Sequence, residues 1–182
     1  MVIFFRPLLK YIAYTLFFIL ALIYFTPKIA FFYLLEDKLN PYGIVISDEK
    51  LQDSGLYLDV KDSVVFVKGI ESAKISETKI KIFGLYNSVN LTNIELSPTI
   101  SSLVPTNIAK IYITYSIFNP LNINIYANGE FGKLDASFNL INFNLHLNLE
   151  ASSLMKKDFK STLKNLKRLD TGGYSYDKTF KL

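Results

Sequence analysis

LNINIYANGEFGKLDASFNLINFNLHLNL, residues 121–149, alternates apolar and polar side chains along most of its length. Leu121, Ile123, Ile125 and Ala127 hold one parity, and Asn122, Asn124, Tyr126 and Asn128 hold the other. Leu134, Ala136, Phe138 and Leu140 alternate with Asp135, Ser137 and Asn139. Ile141, Phe143, Leu145, Leu147 and Leu149 alternate with Asn142, Asn144, His146 and Asn148. Successive side chains of a strand point to opposite faces, so a period of two predicts strands with one apolar and one polar face. Asn128-Gly129 marks a tight turn, and the change of parity at Leu140-Ile141 marks a second. The stretch reads as an antiparallel meander.

The pattern extends upstream. Ile111, Ile113 and Ile117 alternate with Tyr112, Thr114 and Ser116, and Asn119-Pro120 turns the chain. Residues 97–107, with Pro98 and Pro105, form the longest predicted loop. Tyr86 to Leu96 and Ala73 to Phe83 read as strands. In the latter the apolar parity switches between Ile75 and Ile80/Ile82, which predicts a bulge near Glu77 and Thr78. Ile44-Val45-Ile46, Leu56 to Val60 and Val65 to Val67 read as short strands broken at Asp53-Ser54-Gly55 and Lys61-Asp62. Downstream, Met155, Phe159, Leu163 and Leu166 recur at helical spacing within 152–169, ringed by lysines. Ser152 or Ser153 can cap that helix, Gly172-Gly173 can end it, and residues 174–182 read as a last strand.

Before the strands comes LLKYIAYTLFFILALIYFT, residues 8–26, uncharged from Tyr11 to Phe25. A bilayer core about 30 Å thick needs roughly 20 helical residues. The run reaches that length if Lys10 snorkels to the interface. Tyr11, Phe17, Phe18, Leu20, Ile23 and Phe25 are its membrane-facing candidates, with tyrosines near both ends as interfacial rings favour. A buried core helix or a cleaved signal peptide is the alternative, and against the latter, small residues at A-x-A spacing do not follow the apolar core. Arg6 and Lys10 on the short side bias the amino terminus toward the cytoplasm. Residues 1–28 are thus the predicted anchor. Residues 29–43 are a connecting amphipathic helix and turn, lying on the membrane as a collar or continuing the anchor past Pro27. Residues 44–182 are the β-rich domain, expected in the periplasm of a bacterium whose inner membrane holds the single-pass anchor.

The predicted fold is mainly β: an N-terminal transmembrane helix, an antiparallel, twisted β-groove or sandwich, and one C-terminal amphipathic helix. Without Arg6 and Lys10 the remaining 18 basic residues face 16 acidic ones, a balance that does not argue for nucleic acid. Cysteine is absent, which excludes disulfides and thiolate chemistry. His146 is the only histidine and sits mid-strand among asparagines. A triad would have to take its base there, and no G-x-S-x-G elbow exists to hold a nucleophile. Glu36/Asp37, Asp48/Glu49 and Asp59/Asp62 read as solvated turn and edge charges. No phosphate-binding glycine loop, zinc spacing or calcium loop occurs. The expectation is a non-enzyme without cofactor or metal. Its candidate working surface is an apolar face built from Ile123, Ile125, Phe138, Leu145 and Leu147, closed as a core or open as a concave groove for lipid or a partner protein.

The layout also carries a family likeness. An anchor leaves through Phe25-Thr26-Pro27-Lys28, and a short helix ends Leu34-Leu35-Glu36-Asp37-Lys38-Leu39. Gly43-Ile44-Val45-Ile46 and the strand Leu56-Tyr57-Leu58-Asp59-Val60 follow, then repeated short strands and the tail Asp170-Thr171-Gly172-Gly173-Tyr174-Ser175-Tyr176. This order resembles the N component of type II secretion systems, an inner-membrane protein related in fold to the AsmA-like envelope proteins. The resemblance lies in layout along most of the chain. It implies a periplasmic β-groove serving secretion or lipid handling, with envelope proteins and lipid as partners, and it supplies no catalytic residues. An anchored lipopolysaccharide-export subunit, one helix plus a twisted β jelly roll, is the alternative within the envelope, and a structural adapter is the alternative outside lipid handling.

Overall fold

The computed structural model describes residues 2–100, 102–170 and 172–180, with side chains from Leu8 onward, so the Arg6 side chain and residues 181–182 of the expected last strand lie outside it. Helix α1 (Val2–Phe25) is 24 residues long, about 36 Å at 1.5 Å per residue. Within it, Leu8–Phe25 is long and apolar enough to cross a membrane, and none of that window is buried inside the protein. Pro27 then separates α1 from α2 (Lys28–Leu39), and a short turn of 3-10 helix at Asn40–Tyr42 leads to Gly43 at φ 75, a left-handed position that glycine adopts freely.

Strands follow in one antiparallel sheet of eleven: β1 (Ile44–Ser47), β2 (Lys50–Asp53), β3 (Leu58–Val67), β4 (Ile70–Ile82), β5 (Tyr86–Leu96), β6 (Asn107–Ser116), β7 (Asn122–Gly129), β8 (Gly132–Asn139), β9 (Asn144–Ala151), β10 (Lys167–Arg168) and β11 (Tyr174–Thr179). From β3 to β9 each strand pairs with the next in sequence. β1 and β2 share β3, one at each half of it, while β11 pairs with β9 and leaves β10 at the outer edge. The described residues form no second sheet, so the sandwich alternative gives way to a single open sheet.

Two local readings change. β3 is one strand, not two pieces, because Asp62 sits inside it at φ 56, a conformation aspartate tolerates. The ladder Lys61↔Glu77↔Thr92↔Lys110 is followed by Ser63↔Ile75↔Ile94↔Ile108, skipping Asp62, Ser76, Asn93 and Ala109. Asn93 is also left-handed, at φ 53, and β6 slips by a residue against β7 at Ala109. The predicted parity switch in β4 is one strand's share of an irregularity that runs across four. The expected helix over 152–169 is broken into α3 (Ser153–Asp158) and α4 (Lys160–Leu163), then β10. Phe159 leaves helical geometry at φ -117, ψ 37 and interrupts it. Ser152 caps α3 by accepting from the Met155 N–H at 3.1 Å.

Both helical segments lie on the apolar face. α2 is neither a free collar nor a continuation of α1: its Phe32 packs on Leu58 and Val60, with Ile29, Ile46, Leu51 and Ile80 around them. α3 and α4 bring Met155 and Leu163 onto Ala127, Phe131 and Leu149.

Lys28 joins α1 to the sheet. It is fully buried, and its Nζ donates to the carbonyls of Ile23 (3.1 Å), Tyr24 (3.5 Å) and Thr26 (3.1 Å). Ile23 O also accepts from the Thr26 N–H at 3.4 Å and Thr26 O from the Lys28 N–H at 2.9 Å, and a cation suits the negative end of the α1 dipole. Asp53 Oδ1 lies 3.8 Å from the same Nζ, and it accepts from the Gly55 N–H at 2.8 Å. Gly55, at φ 77, lies so close under the Tyr24 ring that a Cβ there would overlap it. Lys28→Met keeps the stem and removes a charged donor from three carbonyls and from Asp53. It is expected to cost about 2 kcal/mol, read as a lower thermal midpoint of the full chain in detergent micelles, with Lys28→Arg losing less.

Candidate functional site

The apolar residues singled out from the sequence fall on adjacent rungs of one face. Ile123, Phe138 and Leu145 stand side by side on β7, β8 and β9. One rung further along, Ile125, Ala136 and Leu147 do the same, and Ile113, Val89 and Ile80 carry that rung across β6, β5 and β4. All five named residues are half-buried, unlike Leu58 or Leu149, which lie under the helices. Phe138 is part of an aromatic group, with ring centroids 6.3 Å from Phe143 and 6.2 Å from Phe180.

The rest of the site comes from packing. α2 stands on the β3 end of this face and α3–α4 on its β7–β9 part, leaving between them a strip floored by Val89, Ile113 and Ile125, with Leu147 at the edge of the α3–α4 cluster. Of the strip's floor, the sequence singled out Ile125 and not Val89 or Ile113. It did not locate the walls, since it showed neither where α2 would dock nor that the C-terminal helix would be short. Such a strip can hold an acyl chain or an apolar protein segment by burial alone, at roughly 25 cal/mol per Å² removed from water.

The polar face is a field of amides, hydroxyls and phenols. Asn90, Tyr112, Tyr126, Asp135 and Asn148 share one rung, and Ser88, Thr114, Asn124, Ser137 and His146 the next. Tyr86 and Tyr112 join hydroxyls at 2.9 Å, and that hydrogen bond raises the Tyr86 phenol above its ordinary pKa. Asp59, 3.6 Å from Lys79 Nζ, raises that ammonium similarly. A cleft of about 820 Å³ lies near the β6–β8 end of this face, among Lys74, Glu95, Asn107, Asn128, Glu130 and Lys133. A second, of about 300 Å³, is lined by Tyr112, Asn124, Tyr126, Asp135, His146 and Asn148.

His146 has a partner that its own strand did not reveal. Its Nδ1 is 2.6 Å from Asp177 Oδ1 on β11, while Asn148 Nδ2 is 3.1 Å from Nε2. Ser137 is its cross-strand neighbour on β8, so serine, histidine and aspartate occur in a row. A triad needs the second ring nitrogen on the nucleophile, and here Asn148 occupies it. The pair is 44% and 60% exposed, in the open rather than in a water-excluding pocket. His146→Ala is expected to change stability by no more than about 0.5 kcal/mol, as for other exposed pairs, and to leave cell-based function intact. Full abundance with lost function would instead point to chemistry at this ring. Among the described residues no three His, Asp or Glu side chains converge as a metal site.

Comparison of the chain with protein-family models, curated proteins and solved structures returns no match.

Proposed function

We propose that the protein is a single-pass, membrane-anchored β-sheet module of a bacterial envelope, with its sheet in the periplasm. Its uncovered apolar strip binds a lipid chain or an apolar segment of a partner protein, and the protein is not an enzyme. The observation that carries this reading is the strip itself. Val89, Ile113 and Ile125 are only partly buried, between two helical segments that cover the same face on either side. A sheet needing only a core would bury that row.

Uncleaved anchoring draws support from Lys28. The carbonyls that satisfy its buried Nζ belong to the last turn of α1 and the link to α2, so cleavage there would strip the lysine of partners. A secretion or lipid-handling role rests on the resemblance in layout. The jelly-roll alternative draws less support, since the described strands make one layer.

Two experiments test the proposal. A reporter active only outside the cytoplasm, fused after Leu182, is expected to work, with the product retained in membranes after a carbonate wash. A soluble, shortened product would show a signal peptide instead. A photo-crosslinking amino acid at Phe138 or Leu145 in living cells is expected to yield lipid or single-protein adducts. Absence of any adduct from a folded, membrane-bound protein rejects the binding strip.

A further inference from the structure

In a meander every second connection falls at the same end of the sheet, and here the two ends differ in chemistry. One end carries the links at 54–57, 83–85, 117–121 and 140–143, together with Phe180 at the close of β11. These four links hold no charged residue. They expose Leu56, Leu85, Ile117, Phe118, Leu121 and Ile141, with Phe118 86% and Ile141 69% accessible. The other end carries Lys68, Glu130 and the lysine-rich α3–α4 segment beside the uncharged 97–106 link, which exposes Leu103.

The apolar end is also where α1 arrives. The link at 54–57 is the one that Tyr24 covers at Gly55, and Asp53 beside it meets Lys28. The membrane-length helix and the row of apolar loop tips therefore share one end of the molecule. Strands stand about 4.8 Å apart, so tips two strands apart form a line with a spacing of roughly 10 Å. Lys81 and Lys178 lie two residues in from the tips on their strands, about 7 Å further along at 3.3 Å per residue. Basic side chains at that height suit lipid phosphates when the tips lie among the acyl chains.

We infer that the hairpin tips at 83–85, 117–121 and 140–143, with Phe180, dip into the bilayer that α1 spans, so that the sheet stands on the membrane with its strands rising from it. The inference rests on the proposed anchoring of α1 and adds the pose of the domain. It commits the tips to lipid because the anchor's exit lies beside them. In this pose the Ile123, Phe138 and Leu145 rung is the lowest of the apolar strip and opens toward the bilayer. α2 climbs away from the surface, from Lys28 beside Asp53 to Gly43 beside Lys68 at the far end.

The chain has no tryptophan, so single replacements report without background. Full-length Phe118→Trp and Ile141→Trp would be reconstituted in vesicles of phosphatidylethanolamine and phosphatidylglycerol carrying spin-labelled lipids. Phe17→Trp serves as the reference in α1 and Ile70→Trp as the reference at the opposite end of the sheet. Phe118→Trp and Ile141→Trp are expected to emit to the blue of Ile70→Trp and to be quenched several-fold more, most by labels near the headgroup. Phe17→Trp is expected to be quenched most by labels deep in the chains. If Phe17→Trp is quenched while both tip variants match Ile70→Trp, the anchor stands and the pose is overturned. Blue-shifted tips without lipid quenching would place them against protein and also overturn it. An unquenched Phe17→Trp removes the anchor and the pose together.

Discussion

Gly132→Ala is expected to destabilise the domain by more than about 3 kcal/mol, the largest effect of any single methyl group in the chain. Gly132 has φ 118, a region that side chains rarely adopt. A Cβ added there would collide with the backbone carbonyl of Glu150 and approach Ser152 N at 2.8 Å. Backbone atoms cannot rotate away as a side chain can. The same corner is pinned from three directions: Glu130 N–H donates to Asn107 O at 3.0 Å, Ser152 N–H to Phe131 O at 2.9 Å, and Ser152 Oγ to Glu130 O at 2.5 Å. Opening it to admit a methyl would loosen β7 from β6 and β8 from β9 together. Gly84 is the control, left-handed at φ 72 but with open space around it, so Gly84→Ala is expected to cost only about 1 kcal/mol. Urea titrations of the full chain in detergent, followed by far-ultraviolet circular dichroism, measure both. Equal midpoints for the two variants would contradict this account of the turn.

The second large effect separates the covered part of the apolar face from the open part. Leu58 is fully inaccessible beneath Phe32 of α2. Leu58→Asp removes its packing and buries a carboxylate with no cation in that cluster, for an expected loss of about 4 kcal/mol or more. Leu145, on the same face, is half-buried and outside both helix-covered clusters, so Leu145→Asp lets the carboxylate reach water at an expected cost nearer 1 kcal/mol. Crosslinking at Phe138 should fall in both variants, in Leu58→Asp together with the fold and in Leu145→Asp without loss of it. Leu145→Asp would keep the fold and lose adducts with lipid or partner. A Leu145→Asp protein as unstable as Leu58→Asp would mean that the strip is core.

How much of this was legible follows from where each signal lies. β7, β8 and β9 could be read because hairpin neighbours repeat the same alternation, and register then put Ile123, Phe138 and Leu145 side by side. β2 could not, since Lys50-Leu51-Gln52-Asp53 carries one apolar residue and pairs only because β3 extends past β1. Asp62 looked like a break because a charged residue between strands usually is one; its left-handed φ is compatible with both readings. Met155, Phe159, Leu163 and Leu166 keep helical spacing across the interruption at Phe159, so spacing alone suggested one helix. The His146–Asp177 pair joins residues 31 apart on strands that meet only when β11 bypasses β10. Charge-free turns were visible in the sequence from the start. That they share an end with the exit of α1 depends on strand count and on Tyr24 covering Gly55.

The pairing order has a further consequence for how the molecule is made. A chain delivered amino terminus first presents β3 before β4, β4 before β5, and so on to β9, and each new strand needs only the one just completed. Contacts between neighbours in sequence close small loops, which form fast. The sheet can therefore grow at its free edge as the polypeptide emerges, with β1–β3 held at the end of α1 by Lys28 and Asp53. β11 departs from that order: it follows α3, α4 and β10 in the chain, registers Tyr174 with Leu149 and Thr179 with Asn144, and takes β10 as its outer neighbour. Growth of the sheet stops at β10, a strand of two residues that offers little edge to a further one.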